Sequence, residues 1–341
     1  MIPNRSLEVL RAIVEDYISS NQPVGSKALL DRHPLGVSAA TIRNDMALLE
    51  EEDLITAPHT SSGRIPTEKG YRLFVDKLGE IKPLSSSERS AIETFLGGAT
   101  DLDEIVEKTA RSLSSLTNNL ALVQYPSFGK SKVRHIELIQ LSDHRLLVML
   151  ITDSGRVQQS QIEFVEPIDL ELMPEVRGRL NGMLFGGALT EVKLTVERLP
   201  EDFSPERRSF VQKVVESLQD LVDANRQERL VLSGAANLAK QDDAFGGELS
   251  SVLEAIEEQM VMLKLLNELN TDQHGVGLKI GSELGVAGIQ HATLMAAGYQ
   301  NGSTELSKIG VLGPTRMNYS GNIASVRAVA RYLSQVLEEN S

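Results

Sequence analysis

The most constraining feature of the chain is the segment from residue 37 to residue 72, which begins VSAATIRNDMALLEEEDLI and ends HTSSGRIPTEKGYR. Ser38 stands where a helix N-cap belongs, so its hydroxyl can accept from the backbone N–H of residue 40 or 41. Ile42, Met46 and Leu49 then repeat at spacings of four and three, as on one helical face. The segment therefore predicts a capped helix that buries a single apolar stripe.

Small and hydrogen-bonding side chains occupy the leading end of this predicted helix, opposite its apolar stripe. Small residues allow close approach to another surface, and arginine and asparagine can bond base edges or phosphates. These side chains are Ser38, Ala39, Ala40, Thr41, Arg43 and Asn44. An isolated helix of this composition is more often an ordinary surface helix. The flanking elements must decide between the two interpretations.

The flanking elements favour DNA binding. Apolar spacing predicts helices at 5–20 and 26–30 before the capped helix, and a strand at 54–56, a hairpin turn at 60–64 and a helix at 67–78 after it. This is the element order of a winged helix-turn-helix. An exposed hairpin tip is often only solvated, but an arginine projecting from it could reach phosphates or the minor groove. The further candidate DNA contacts are Ser26, Lys27, His59, Thr60, Ser61, Ser62, Gly63, Arg64, Lys69 and Arg72.

The net charge of −13 opposes nucleic-acid binding on its face, because affinity for DNA rests largely on neutralising phosphates. The acidity is unevenly placed, however. Residues 1–77 have a net charge of −2, with 9 Lys and Arg against 11 Asp and Glu, and the remaining residues have a net charge of −11. A small basic edge in the first part of the chain is compatible with this distribution.

The composition argues against an enzyme, a metal site and a bound cofactor. The chain has no cysteine, which excludes disulfides, thiolate metal sites and cysteine nucleophiles. Its six histidines form no pair at metal-ligand spacing, and no serine or lysine lies in a nucleophile elbow or phosphate-loop motif. The N-terminus is amphipathic, and no run approaches eighteen apolar residues. We expect a cytoplasmic protein without cofactors.

The whole chain has 341 residues, so the part after the predicted winged helix-turn-helix is long enough for one or two more domains. Strand-like runs are followed near the C-terminus by an amphipathic helix at 323–337. The runs lie at 135–141, 145–152, 156–165, 277–280, 292–299 and 308–312, and Asp-Ser-Gly at 153–155 forms a hairpin turn between two of them. Strands at both ends of the region suggest one sheet interrupted by an insertion.

The most informative part of the predicted insertion is a helix at 249–269 with a broad apolar stripe. Such a stripe either packs inside one subunit or forms a dimer interface, and we infer a homodimer. The interface candidates are Leu253, Ile256, Met260 and Leu263, with Arg316 as a further one. The turn Gly313-Pro314-Thr315-Arg316 is equally compatible with anion binding and with a subunit contact.

Four motifs carry a resemblance to a known family: PVGSK at 23–27, ATIRN at 40–44, HTSSGRIPTEKGYR at 59–72 and GPTRMNY at 313–319. In these motifs, and over essentially its full length, the chain resembles the HrcA family of bacterial heat-inducible transcription repressors. ATIRN alone also resembles the recognition helix of DeoR-type regulators. One departure is Glu52-Asp53, where glycine is common in the family's helix-to-strand turn.

The resemblance implies an α+β multidomain protein with three parts. These are a winged helix-turn-helix at 1–80, a GAF-like α/β domain at 81–168 and 271–341 that begins with a linker helix, and an inserted α+β dimerising domain at 169–270. It also implies a homodimer that binds CIRCE, an inverted-repeat operator ahead of chaperonin and DnaK operons, with activity modulated by the GroE chaperonin. The alternative is a metabolite-responsive regulator whose GAF-like domain binds a ligand.

Overall fold

The computed structural model describes residues 2–339 except 60, 61, 79–82, 97–100, 127–130, 154, 156, 227, 228, 273, 302 and 303. The chain divides into two compact units. The first unit combines residues 1–125 with 230–336, and the second combines 126–229 with 337–341. Within the described part, no helix is both long and apolar enough to span a membrane.

The first part of the chain, which we call the head (residues 2–78), is a small helical bundle with a two-stranded ladder. Its elements are α1 (Asn4–Ser20), α2 (Ser26–Arg32), α3 (Ala39–Glu51), β1 (Ile55–Thr56), β2 (Ile65–Pro66) and α4 (Glu68–Asp76). β1 and β2 pair antiparallel, and Val24 forms a further bridge to Arg64. The predicted stripe of Ile42, Met46 and Leu49 is buried, as expected.

The next elements lead into the remainder of the first unit and then into the second unit. They are α5 (Ser86–Leu96), α6 (Leu102–Thr117) and β3 (Leu120–Gln124). The second unit begins with β4 (Val133–Ser142), β5 (Arg145–Thr152) and β6 (Val157–Glu163), followed by α7 (Leu172–Leu184), α8 (Val192–Val196) and α9 (Pro205–Arg226). Its three strands form an antiparallel sheet with β5 in the centre.

The chain then returns to the first unit. The elements there are β7 (Leu230–Ser233), α10 (Ala235–Ala239), α11 (Leu249–Glu257), α12 (Gln259–Glu268), β8 (Gly277–Ile280), β9 (Ala292–Asn301), β10 (Thr304–Pro314) and α13 (Tyr319–Glu339). Five strands form an antiparallel sheet in the order β7-β3-β10-β9-β8. Leu122, Leu294 and Leu312 of this sheet share a buried cluster with Val252 of α11 and Leu266 of α12.

The unit boundaries differ from the predicted domain boundaries of 169 and 270. Residues 126–168 belong to the second unit, because β4, β5 and β6 pair only with one another among the described strands. Residues 230–270 belong to the first unit, because β7 pairs with β3 and α11 and α12 pack against the same sheet. The predicted strands do not all belong to one sheet, because those at 135–165 form the separate sheet of the second unit. The sheet of the first unit is interrupted by an insertion, as expected, but the insertion is residues 126–229 and the strand before it is β3.

The predicted single helix at 249–269 is two helices. Glu258 ends α11 with φ −78° and ψ 80°, outside the helical region, and α12 starts again at the next residue. Of the other predictions in this region, Ser154 of the Asp-Ser-Gly turn lies outside the described residues, as do residues 79–82 before α5.

The predicted interface residues on α11 and α12 differ in how deeply they are buried. Ile256 and Leu263 are 5% and 4% exposed and belong to the core beside the five-stranded sheet, with Leu253 packed against it. The burial of Ile256 and Leu263 within one chain favours core packing for these two residues, whereas Leu253 is only partly buried. Met260 differs because it is 77% exposed.

Candidate nucleic-acid interface

The leading end of α3 is an ordered, solvent-facing surface. The Ser38 hydroxyl accepts a hydrogen bond from the backbone N–H of Thr41 at 3.2 Å, as the sequence predicts for an N-cap. Ala40, Arg43 and Asn44 are exposed. Ala39 and Thr41 are half-buried. The predicted polar face of the helix is thus accessible, with an arginine and an amide able to bond base edges.

An ion pair between α1 and α3 positions this surface. The Asp45 carboxylate, on the inward face of α3, accepts from Arg5 Nε at 2.8 Å and from the Ser6 hydroxyl at 2.8 Å. Its side chain is only 4% exposed. The hydrogen bond from Arg5 holds the pKa of Asp45 below its ordinary value, against the opposing effect of burial. Sequence reasoning missed this residue, although its place between Ile42 and Met46 marks it as inward-facing.

The start of α2 contributes to the same surface. Arg43 Nε donates to the Ser26 hydroxyl at 3.3 Å, which links the first residue of α2 to the exposed side of α3. Lys27, the next residue of α2, is exposed. In the described residues neither Arg43 nor Lys27 is within ion-pair distance of a carboxylate. These two cations are therefore available to a polyanion.

The residues on either side of the hairpin tip after β1 are hydrogen-bonded to each other. The Ser62 hydroxyl accepts from the backbone N–H of His59 at 2.9 Å and donates to the His59 carbonyl at 2.7 Å. His59 is exposed, and the predicted contacts Thr60 and Ser61 lie outside the described residues. A Cβ on Gly63 would come within 2.6 Å of the backbone carbonyl carbon of Val24, so no side chain fits there. The turn presents His59 to solvent.

Arg64 does not project from this tip, contrary to the prediction. Its guanidinium lies back along α3, where Nη2 is 2.8 Å from the Glu50 carboxylate and Nε donates to it at 3.0 Å. A third bond runs from Nη1 to the Ser62 carbonyl at 3.3 Å. Because a carboxylate neutralises it, Arg64 braces the hairpin against α3 instead of offering a free charge.

Two further predicted DNA contacts, both on α4, are engaged elsewhere. Lys69 Nζ donates to the Glu52 carbonyl at 2.6 Å and thereby closes the end of α3. Arg72 pairs through two nitrogens with Glu283, which lies in the turn after β8, and donates to the Leu278 carbonyl at 3.0 Å. The guanidinium of Arg72 therefore joins the head to the five-stranded sheet, and its predicted contact with DNA would require this pairing to be broken.

Comparison with known proteins is consistent with this architecture. Residues 103–323 match the family described as HrcA protein C terminal domain. The chain is 52% identical over 337 residues to the heat-inducible transcription repressor HrcA of Leifsonia xyli subsp. xyli, with 99% of each protein covered. The same repressor of Clavibacter michiganensis subsp. michiganensis is also 52% identical, over 99% of this chain and all of the relative.

The chain belongs to the HrcA family. Its relatives are named as transcription repressors, which are regulators and not enzymes. A crystal structure described as a hypothetical protein matches over the full length of both chains, with a TM-score of 0.66 at 24% identity. That likeness shows a shared fold of mixed helices and antiparallel sheets.

Membership of the HrcA family directs attention to GPTRMNY at 313–319, the motif farthest from the head in sequence. In the structure this motif lies against the head. Arg316 Nη1 donates to the carbonyl of Ile18 in α1 at 3.3 Å. The Tyr319 ring lies 5.7 Å from Tyr71 and 6.3 Å from Phe74, both of α4. Arg316 thus makes a contact within the chain, and its role in a subunit contact stays a prediction.

A second polar contact joins α4 to the turn after β8. The Glu68 carboxylate accepts from the backbone N–H of Ser282 at 3.0 Å and from its hydroxyl at 2.6 Å. Gly281 makes this possible, because a Cβ there would lie 2.3 Å from Glu68 Cδ, and its φ of 56° favours glycine. The head is thus fastened to the sheet at two places on α4 and at the end of α1.

Metal ligation is not indicated by the described side chains. Within the ranges that the structure covers, no group of three His, Cys, Asp or Glu residues could hold a metal ion. The surface formed by the leading end of α3 and the start of α2 offers hydrogen-bonding side chains and two cations, Arg43 and Lys27. Such a surface can bind a polyanion.

Proposed function

We propose that this HrcA family member represses heat-shock operons as a homodimer that binds an inverted-repeat operator of the CIRCE type. The observation that carries the proposal is the leading end of α3, where Ala40, Arg43 and Asn44 are exposed on a helix fixed at both ends. Small residues beside an arginine and an asparagine suit close approach to base edges in the major groove.

The head acts in this proposal as a winged helix-turn-helix. α3 is its recognition helix, and the hairpin between β1 and β2 is its wing. Ser26 and Lys27 at the start of α2 contact the phosphate backbone, and His59 at the wing tip contacts the backbone or the minor groove. Arg64 and Lys69 support these contacts indirectly, because they hold the hairpin and the end of α3 in place.

Dimerisation is assigned to the second unit, on the uncovered face of its sheet. Leu146, Val148 and Leu150 of β5 are fully buried on the side that packs against α7 and α9. The register places Ile139 and Val157 on the opposite side, and they are 41% and 50% exposed. Leu147, Met149 and Ile151 of β5 lie between them and are half-buried. The same face also carries polar side chains, among them Glu137 and Gln159 opposite Met149. This mixed surface, apolar along β5 and polar on the flanking strands, is where we place a second copy of the chain.

The modest charge of the head makes two copies necessary. With Lys27 and Arg43 as its accessible cations near α3, one head neutralises few phosphates and binds DNA weakly. When two heads belong to one dimer, binding of the first head makes binding of the second an intramolecular step, which raises the overall affinity for the duplex. A two-fold dimer matches an inverted repeat, with half-sites one helical turn or a multiple of it apart.

The first unit outside the head supplies control in this proposal. It corresponds to the GAF-like domain, and its fastening to α4 and α1 sets the position in which the head is presented. By resemblance to the family, the GroE chaperonin maintains the active form in the cytoplasm, so unfolded clients that occupy the chaperonin relieve repression. A metabolite-responsive regulator is the second candidate, favoured by a polar cavity beside the head that is described below.

A footprint on the chaperonin promoter of the source organism tests the proposal. We expect protection of two symmetric half-sites, and stronger binding when purified GroE chaperonin is added. Scrambling one half-site should reduce the affinity for the operator far more than twofold, because the second head of the dimer then has no specific site to bind. Equal protection of an unrelated duplex of the same length would contradict an operator-specific repressor.

A further inference from the structure

A polar cavity of about 370 Å³ lies where the head meets the rest of the first unit. Its wall is built from the ends of α1 and α6, from α10 and from the turn that precedes α13. Two cations, Arg316 and Lys240, line it together with the amide side chains of Asn118, Asn119, Asn237 and Gln241. The volume falls within the range of small-molecule sites.

The charge of this cavity is positive in a strongly acidic chain. No aspartate or glutamate is among its lining residues. In the part of the chain that the structure describes, neither Arg316 nor Lys240 forms an ion pair. Arg316 Nη1 donates to the Ile18 carbonyl, and Arg316 Nε is buried without a hydrogen-bond partner. Two uncompensated cations facing one cavity are what an oxyanion needs.

The amides of the wall are held in fixed orientations. Gln241 Nε2 donates to the Asn118 carbonyl at 2.7 Å, and Asn237 Nδ2 donates to the Ser114 hydroxyl at 3.0 Å. With their NH2 groups engaged on the end of α6, the side-chain oxygens of Asn237 and Gln241 remain as acceptors. Fixed acceptors beside two cations complement a molecule that carries both hydroxyl groups and an acidic group.

We propose that this cavity binds a small hydroxylated molecule that carries a phosphate or a carboxylate. Arg316 and Lys240 meet the oxyanion, and the amide oxygens accept from hydroxyl groups. The site is adjacent to the head, because the same Arg316 holds the last turn of α1 through Ile18. Occupancy therefore redistributes the donors of Arg316 and alters the attachment of α1. This last step rests on the proposed DNA-binding role of the head, whereas binding of the ligand does not.

Isothermal titration of the full chain in phosphate-free buffer tests the site. The probes are inorganic phosphate, glucose 6-phosphate and citrate, with glucose as the uncharged comparison. We expect saturable binding of at least one of the three anions and no binding of glucose. Absence of saturable heat with all three anions, or binding of glucose as tight as that of glucose 6-phosphate, would overturn the proposal.

Three variants assign the binding to the cavity. Arg316→Gln and Lys240→Gln should each raise the dissociation constant of the anion by about tenfold, since each removes a charge-assisted contact. Arg331→Gln, which removes an exposed arginine on α13 outside the cavity, should bind as the wild type does. Lys240 is exposed, so its replacement keeps the test valid if Arg316→Gln fails to fold. Wild-type affinity in Lys240→Gln and in a folded Arg316→Gln would place the ligand elsewhere.

Coupling to the head is measured separately, by DNA binding with and without the bound anion. We expect the dissociation constant for the operator to change when the anion saturates the site, and the change to disappear in Lys240→Gln. An anion that binds and leaves DNA affinity unaltered would overturn the coupling alone. Loss of DNA binding under all conditions would instead contradict the proposed function, since the titration itself involves no DNA.

Discussion

Arg72 and Glu283, which are 211 residues apart in the chain, form an ion pair that fastens α4 of the head to the turn after β8. Both side chains are about one-third exposed, at 29% and 38%. Burial opposes the charge of Glu283, but hydrogen bonds from Arg72 and from the Ile280 backbone N–H hold its pKa below the ordinary value. The pair therefore contributes to the orientation in which the head is presented.

A double-mutant cycle of Arg72→Gln and Glu283→Gln measures this contact. Because the pair is partly solvated, we expect a coupling energy of about 0.5–1 kcal/mol in the free energy of unfolding. Both single variants should also weaken operator binding to a similar extent, since either one loosens the head. Strictly additive unfolding energies would show that the pair contributes nothing. A loss of DNA binding in Arg72→Gln alone would return this arginine to the DNA interface.

The buried carboxylate of Asp45 gives the head a pH-dependent stability. Its pKa is lowered in the folded state, so its contribution is complete above the ordinary pKa and disappears as the pH falls through the lowered value. Asp45→Asn should cost about 1–3 kcal/mol in urea unfolding at neutral pH, and less in strong acid. The control is Asp31→Asn, at an exposed position of α2. A cost that stays constant down to strong acid would contradict this account.

The uncovered sheet face of the second unit predicts a variant that separates the proposed dimer. Ile139→Glu places a charge on that face, where Ile139 pairs across the sheet with Leu147. We expect light scattering to show a monomer for Ile139→Glu, because an unpaired charge is costly when it is buried in an interface. Leu30→Glu in the head is a matched control, since Leu30 is 39% exposed against 41% for Ile139. A dimer that survives Ile139→Glu would place the interface elsewhere.

The turn after α3 contains a residue in a strained conformation. Asp53 has a φ of 57°, in the left-handed region where glycine is favoured. Asp53→Gly should raise the free energy of unfolding by about 0.5–1 kcal/mol. Glu52→Gly is the matched control, because Glu52 has a φ of −83° and gains no such relief. Stabilisation by both substitutions, or by neither, would be incompatible with this explanation.

Local patterns in the sequence predicted the elements of the fold well. The strands predicted at 145–152 and 277–280 have the observed limits of β5 and β8, and the capped helix begins after Ser38 as expected. Side-chain periodicity and capping are properties of neighbouring residues, so they can be recognised without the fold. The five-stranded sheet was not predictable in this way, because β3 pairs with strands more than a hundred residues away.

Charged residues of the candidate site were the least predictable. Arg43 and Arg64 look alike in sequence, but Arg64 has Glu50 within reach on the folded head and Arg43 has no carboxylate beside it among the described residues. Likewise, the apolar stripe at 249–269 shows that a face is buried without showing what covers it. A pattern records the chemistry of a side chain, whereas its partner depends on tertiary structure.

Operator binding by Arg43→Ala tests the central claim most directly. Fluorescence anisotropy with a labelled inverted-repeat duplex, at one fixed salt concentration, compares the wild type, Arg43→Ala and the control Arg331→Ala. If Arg43 bonds a base edge from the exposed side of α3, Arg43→Ala should weaken binding by about 1–3 kcal/mol while its thermal unfolding is unchanged. Arg331→Ala should bind as the wild type does. Undiminished binding of the operator by Arg43→Ala would contradict the assignment of α3 as the recognition helix.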